Sequence, residues 1–191
     1  MTRSRLDFLY LPSLLSLLIL YGHVHGQRNA STFSFDHLTV DDGLSYTTVH
    51  ALLEDQLGII WAGTRFGLNR FDGYEFKVFL PDPKNPYAIK SQSILTLWND
   101  EAGNIWIGHL NGGVSVLERT TGRFLRFPFK EDNTVDWNTI TVRSIFQDSR
   151  GNLWLGTYNA GTIVFDKDYN RIAHFCTTCT PDNRKLSNDF V

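Results

Sequence analysis

Asp100-Glu101-Ala102-Gly103-Asn104-Ile105-Trp106-Ile107-Gly108 decides the fold. It reads as a tight turn feeding a short apolar strand. The Asp side chain can accept backbone N–H groups inside the turn, and Gly103 can supply the positive φ that a hairpin of this kind needs. In the strand that follows, Ile105 and Ile107 face one way and Trp106 the other, so both faces are apolar. A strand with two apolar faces belongs to a sheet covered on both sides. The run is too short, and too closely bounded by glycine, for a buried helix.

The same spacing recurs at Asp55-Gly58-Trp61-Gly63 and at Asp148-Gly151-Trp154-Gly156. The tryptophans stand 45 and 48 residues apart, a period that belongs to stacked repeats rather than to one globular core. Each copy can be read over its whole length. A first strand covers Val49 to Leu53, Ile94 to Trp98 and Val142 to Phe146. The second covers Ile59 to Thr64, Asn104 to His109 and Asn152 to Thr157. A further turn ends in Gly67, Gly113 or Gly161. Third strands then run to Asp72, Glu118 and Asp166, and fourth strands to Phe79, Phe127 and Phe175. Four-stranded antiparallel sheets stacked face to face are the blades of a β-propeller. The expected fold is all-β, with three complete blades and the start of a fourth.

All five tryptophans fall in this register. Trp98 aligns with Leu53 and Phe146, and Trp137 with Leu44 and Ile89. Core packing is therefore the expectation for them, because Trp contributes large buried area wherever it is in register. Both ends of the pattern are incomplete. Thr32-Phe33-Ser34-Phe35 with Leu38 alternates like an outer strand that no inner three precede, and Leu186 to Val191 repeats Leu44 to Val49. The expected organisation is a leader over 27–43, repeats over 44–88, 89–136 and 137–185, and a truncated repeat at 186–191. A ring needs about 4–8 blades to close, so three imply that the missing blades belong to a longer parent.

The first 26 residues read as an export signal. Arg3 and Arg5 precede an apolar run from Leu9 to Leu20, and Val24-His25-Gly26 offers a cleavage site before Gln27. At 12 residues the run is shorter than the roughly 17–25 that span a bilayer. An uncleaved N-terminal anchor, with the run extended to Tyr21, is the alternative. Either way the rest is expected outside the cytoplasm. There Cys176 and Cys179, in Cys-Thr-Thr-Cys, are expected to pair as a local disulfide. The formal net charge of −2, without a basic run, argues against nucleic acid as a partner.

Gly43-Leu44-Ser45, Asp55-x-x-Gly58-x-Ile60-Trp61-x-Gly63-Thr64 and Gly67-Leu68-x-Arg70-Phe71-Asp72-Gly73 together resemble the two-component regulator propeller repeat. The resemblance covers residues 35 to 191. It implies a bacterial hybrid two-component sensor, with seven-bladed periplasmic propellers, an immunoglobulin-like domain, one transmembrane helix and a histidine kinase. The parent would be anchored in the cytoplasmic membrane, would form a homodimer, and would sense an oligosaccharide. Copy two departs from the pattern with His109 in place of Thr and with Gly113-Val114. Copy three departs with Gly161-Thr162-Ile163. No kinase, receiver or DNA-binding segment occurs in these 191 residues.

Four strands per blade put the short Asp-x-x-Gly turns at one end and the long connections, with the 2–3 turns, at the other. Binding residues concentrate on long loops held by a rigid scaffold. The candidate ligand contacts are therefore Arg65, His109, Asn111, Tyr158 and Asn159. Asp55, Asp100 and Asp148 are explained as turn residues, so nothing nominates the carboxylate pair that glycoside hydrolysis uses. His37, His50, His109 and His174 have no metal spacing, and no cofactor is expected. The function expected is a ligand-sensing receptor module. The competing expectation is a secreted propeller enzyme or scaffold acting on extracellular polymer.

Overall fold

The computed structural model describes residues 34–126, 135–178 and 186. A compact unit runs from His37 to Val191. The expected signal segment, Cys179 and residues 187–191 lie outside the described residues.

Among the described residues, twelve strands form three four-stranded antiparallel sheets, each in sequence order. The first holds β1 (Val49–Glu54), β2 (Ile60–Thr64), β3 (Gly67–Phe71) and β4 (Phe76–Phe79). The second holds β5 (Ile94–Asn99), β6 (Ile105–His109), β7 (Val114–Leu117) and β8 (Phe124–Arg126). The third holds β9 (Val142–Gln147), β10 (Leu153–Thr157), β11 (Thr162–Phe165) and β12 (Arg171–Phe175). Leu53 pairs with Trp61, Trp98 with Trp106 and Phe146 with Trp154, as the repeat alignment requires. Phe127, the expected end of the fourth strand of copy two, lies outside the described residues.

The two apolar faces of the second strands are used as the alternation dictates. Trp61 and Leu68 pack against Ile94, Ile105, Ile107 and Leu117 of the next sheet. Trp106, Val114 and Val116 pack in the same way on Val142, Leu153, Leu155, Ile163 and Phe165. Each tryptophan thus faces forward, and its flanking aliphatic residues face back. Burying one such side chain stabilises the stack by about 1.5–3 kcal/mol.

The first strands pack on one another, β1 on β5 and β5 on β9, and so gather toward the inside of the arc. The glycine of Trp-x-Gly makes this approach possible. A Cβ on Gly63 would lie 2.6 Å from Ile94 Cγ2, and one on Gly108 would lie 2.8 Å from the Val142 carbonyl oxygen. Every first strand also carries a bulge near its start. His50, Leu95 and Arg143 are the extra residues, because the register steps from Val49 to Ala51, from Ile94 to Thr96 and from Val142 to Ser144.

Two expectations are corrected. Ser34 to Leu38 form no strand, and the element before β1 is a single 3-10 turn, Val40–Asp42, capped by Thr39 and closed by Gly43 at φ 106°. A strand needs a ladder partner for its N–H and C=O groups, and this stretch has none among the described residues. Nor are all the tryptophans equally buried. Trp61 and Trp106 are 5% and 3% exposed, whereas Trp98, Trp137 and Trp154 are half-buried. Trp154 faces forward from the third sheet, beyond which no further sheet is described.

Candidate functional site

The two ends of the blades are built by different chemistry. At the turn end, one carboxylate organises each copy. Oδ1 of Asp55, Asp100 and Asp148 accepts the backbone N–H of Ile59, Asn104 and Asn152, at 3.0, 2.8 and 2.9 Å. Oδ2 accepts the indole N–H of Trp61, Trp106 and Trp154, at 2.9, 3.1 and 3.0 Å. Gly58, Gly103 and Gly151 close the turns at φ 77°, 82° and 83°, the left-handed region where a Cβ is costly. The Trp154 indole, with the Asn152 side chain and two backbone N–H groups, holds the Asp148 carboxyl down to about 2. An aspartate so occupied is a strut. It is not free to act as a general base.

At the loop end the 2–3 turns are tied to the blade-to-blade connections. Gly67 N–H donates to the Gln92 carbonyl, Leu110 N–H to Ser93 and Gly112 N–H to Ile140. The densest tie surrounds Thr141. Its hydroxyl donates to Asn111 Oδ1 at 3.0 Å and accepts the Asn111 N–H at 3.1 Å. Its backbone N–H donates to Asn159 Oδ1 at 3.3 Å, and its carbonyl accepts the Tyr158 N–H at 2.9 Å. Asn111 sits at φ 51°, a conformation that Asn tolerates better than most residues. The Arg143 guanidinium lies over the Tyr158 ring, 5.4 Å from its centroid.

The structure therefore brings Asn111, Tyr158 and Asn159 together. Asn111, Tyr158 and Asn159 are all exposed, and Arg65 is exposed on the equivalent turn of the first sheet. A hollow of about 290 Å³ opens beside Asn159, walled also by Asp136, Thr139, His174 and Thr178. His174 donates from Nε2 to the Ala160 carbonyl at 2.8 Å.

His109 is placed differently from the expectation. It has no exposed surface, and its Nε2 lies 2.9 Å from Ser115 Oγ on the adjacent strand. Nδ1 has no hydrogen-bond partner. Burial, with the charge of Lys90, pushes its pKa down to about 3, so the ring is neutral. A solvent-facing ligand contact is not available to this side chain. The positional equivalents Thr64 and Thr157 bond the turn itself, through the carbonyls of Gly67 and Gly161.

Cys176 is buried and disulfide-bonded, while Cys179, its expected partner, lies outside the described residues. Among the described residues, no group of three or more His, Cys, Asp and Glu is arranged to hold a metal, and no helix is long and apolar enough to cross a membrane. Sequence reasoning missed Thr141. The signal was present, because Thr48, Ser93 and Thr141 put a hydroxyl immediately before each first strand.

Comparison with known proteins agrees with this architecture. Residues 43–66 and 136–159 match the two component regulator propeller family. A 59-residue stretch is 42% identical to histidine kinase P4 of Formosa agariphila, covering 31% of this chain and 4% of that protein. The extracellular domain of BT3049 from B. thetaiotaomicron, described as a hybrid two component system, superposes with a TM-score of 0.70 at 22% identity. That match covers 81% of this chain and 21% of the other. PorZ of Porphyromonas gingivalis, a surface component of the type-IX secretion system, gives 0.61 at 16% identity, over 83% and 24% of the two chains. This chain thus spans about a fifth to a quarter of these solved chains and a far smaller part of the kinase. Of its three consecutive four-stranded blades, the first and third carry segments that match the propeller repeat of two-component regulators.

Proposed function

We propose that the chain is part of the extracytoplasmic sensor of a two-component receptor, and that its loop end contributes to binding a soluble oligosaccharide. The observation that carries this reading is the Asn111–Thr141–Asn159 lock. It holds two exposed amides in fixed positions across a blade junction, beside the exposed Tyr158 ring. Sugars present hydroxyl groups that pair with amides and C–H faces that rest on aromatic rings. A scaffold that orders such groups before the ligand arrives lowers the entropic cost of binding. His109 is not among the contacts, because it is buried.

In this reading the parent is anchored in the cytoplasmic membrane and exports this region to the periplasm. Dimeric receptors would pass the signal inward. A ligand drives such a switch only if it binds two receptor states unequally. Binding and signalling should then weaken together when the site is altered.

The test is calorimetry of the complete sensor domain against a glycan panel, followed by alanine substitution of Arg65, Asn111, Tyr158 and Asn159. Binding that weakens at least tenfold on substitution supports the reading. A panel in which no glycan binds removes the ligand class. Glycan binding that ignores all four substitutions moves the site away from this end.

A further inference from the structure

The groove between the first and second sheets is wider than the hollow at the next junction, where a tyrosine takes up part of the space. Between the second and third sheets, Tyr169 stands over the repeat tryptophan, with its ring 5.8 Å from Trp106. It occupies the last position of the β11–β12 turn at φ 60°. The matching position in the β7–β8 turn is Gly122, at φ 67°. Both residues precede the one whose carbonyl closes the turn, Asn170 and Arg123. A Cβ placed on Gly122 meets nothing within 4 Å. The space is a groove of about 320 Å³, within the range of small-molecule sites.

Its walls have a definite chemistry. Ile59, Trp61, Phe79, Ile105 and Leu117 supply an apolar floor. Arg70, Lys77 and Arg119 stand in the lining, with Asp55 and Glu118 as its carboxylates. Asp55 is saturated by the Trp61 indole and two backbone N–H groups, and Glu118 accepts the Thr121 hydroxyl. Arg70 is paired with Asp72. Lys77 and Arg119 have no acidic partner among the described residues. Lys77 lies over the Phe79 ring at 5.3 Å, and Arg119 is held to Gln56 Oε1 at 2.7 Å. Gly103 lets Arg119 cross the rim, since a Cβ there would lie 2.7 Å from Arg119 Nη1. The next junction keeps a smaller hollow of about 230 Å³, with Tyr169 in its wall, no lysine or arginine in its lining, and Asp100 and Glu118 there instead.

We propose that the groove beside Trp61 binds a small amphipathic anion, its ring body where Tyr169 would sit and its carboxylate between Lys77 and Arg119. The site is at the turn end, away from the proposed glycan surface, so the two readings stand or fall separately.

The full chain would be titrated with 2-naphthoate and with its neutral analogue 2-naphthamide, following tryptophan fluorescence and calorimetric heat. One naphthoate should bind per chain, with the amide at least tenfold weaker. Gly122→Tyr, which installs the side chain of copy three at a φ that copy three already uses, should abolish binding at an unchanged circular dichroism spectrum and melting point. The rim variant Lys77→Gln with Arg119→Gln leaves the core intact and should weaken naphthoate at least tenfold while leaving the amide unmoved. That variant decides the matter if Gly122→Tyr fails to fold. Equal affinity for acid and amide, undiminished binding in the rim variant or in folded Gly122→Tyr, or no binding at millimolar probe would each overturn the proposal.

Discussion

At the turn end, Trp61, Trp106 and Trp154 reach back six residues to an aspartate by the same bond, with a spread of 2.9 to 3.1 Å. At the loop end the corresponding blades diverge. Thr64 and Thr157 tie their own turns, His109 turns inward to Ser115, and Asn111 with Asn159 clasps Thr141 from two blades. The difference teaches where the constraint lies. A bond that fixes the entry into the second strand recurs in every copy, because it aims the tryptophan that packs on the next sheet. Bonds that fasten loops need only be satisfied.

The sharpest way to break the comparison is at the tryptophans. Trp106→Ala should cost about 3–5 kcal/mol from lost burial and the cavity left behind, measured by chemical denaturation. Trp154→Ala should cost clearly less in this chain, because that ring is half-buried. Equal losses would mean that the forward-facing position does not depend on a covering sheet.

Asp100→Ala comes next. It strips partners from the Trp106 indole, from the Asn104 side chain and from the Asn104 backbone. Part-buried donors left without acceptors should destabilise by about 2–3 kcal/mol. Asp100→Asn, which keeps one acceptor oxygen, should recover part of that loss. A neutral result for Asp100→Ala would show that the turn is fixed by its glycine alone.

His109 gives the loop end a dependence on pH that sets in near 6.5, well above the acid range in which Asp148 titrates at the turn end. Its pKa falls from the ordinary 6.5 to about 3 in the folded chain. Folding therefore disfavours the proton, and the neutral ring's contribution is fully present above pH 6.5. It declines as pH falls toward 3. From pH 7 to pH 5 the loss should be roughly 2 kcal/mol. His109→Thr, the residue of the other two copies, should flatten this slope whatever it does to stability at pH 7. An unchanged slope would place the acid sensitivity elsewhere.

The smallest effect belongs to the exposed amides. Asn159→Ala removes bonds to Thr141 and Thr139 at a wet surface, and should cost under about 1 kcal/mol. If it costs more, the lock is structural before it is functional.

Much of this was legible in the residues. The Asp-x-x-Gly-x-x-Trp-x-Gly spacing dictates hairpin, strand and two-sided burial, because each depends on local chemistry repeated at fixed offsets. The indole bond to Asp, and the glycine that admits Ile94 or Val142, were not legible. They depend on rotamer and on the approach of another sheet, which spacing alone does not encode. The loop end was half legible. Loop position pointed to Asn111, Tyr158 and Asn159, but the same logic placed His109 at the surface. Alternation at the end of β6 sends that ring inward instead, where a threonine stands in the other copies.

The bulges at His50, Leu95 and Arg143 have a consequence of their own. Each inserts one residue that the neighbouring strand does not pair with, on the strand nearest the inside of the arc. His50 and Arg143 are exposed there, and Leu95 is half-buried. These positions already hold a weak base, an aliphatic chain and a permanent cation on otherwise equivalent blades. The lining toward the axis can therefore be rewritten one blade at a time, its charge and width changed, while ladder and stack keep their register.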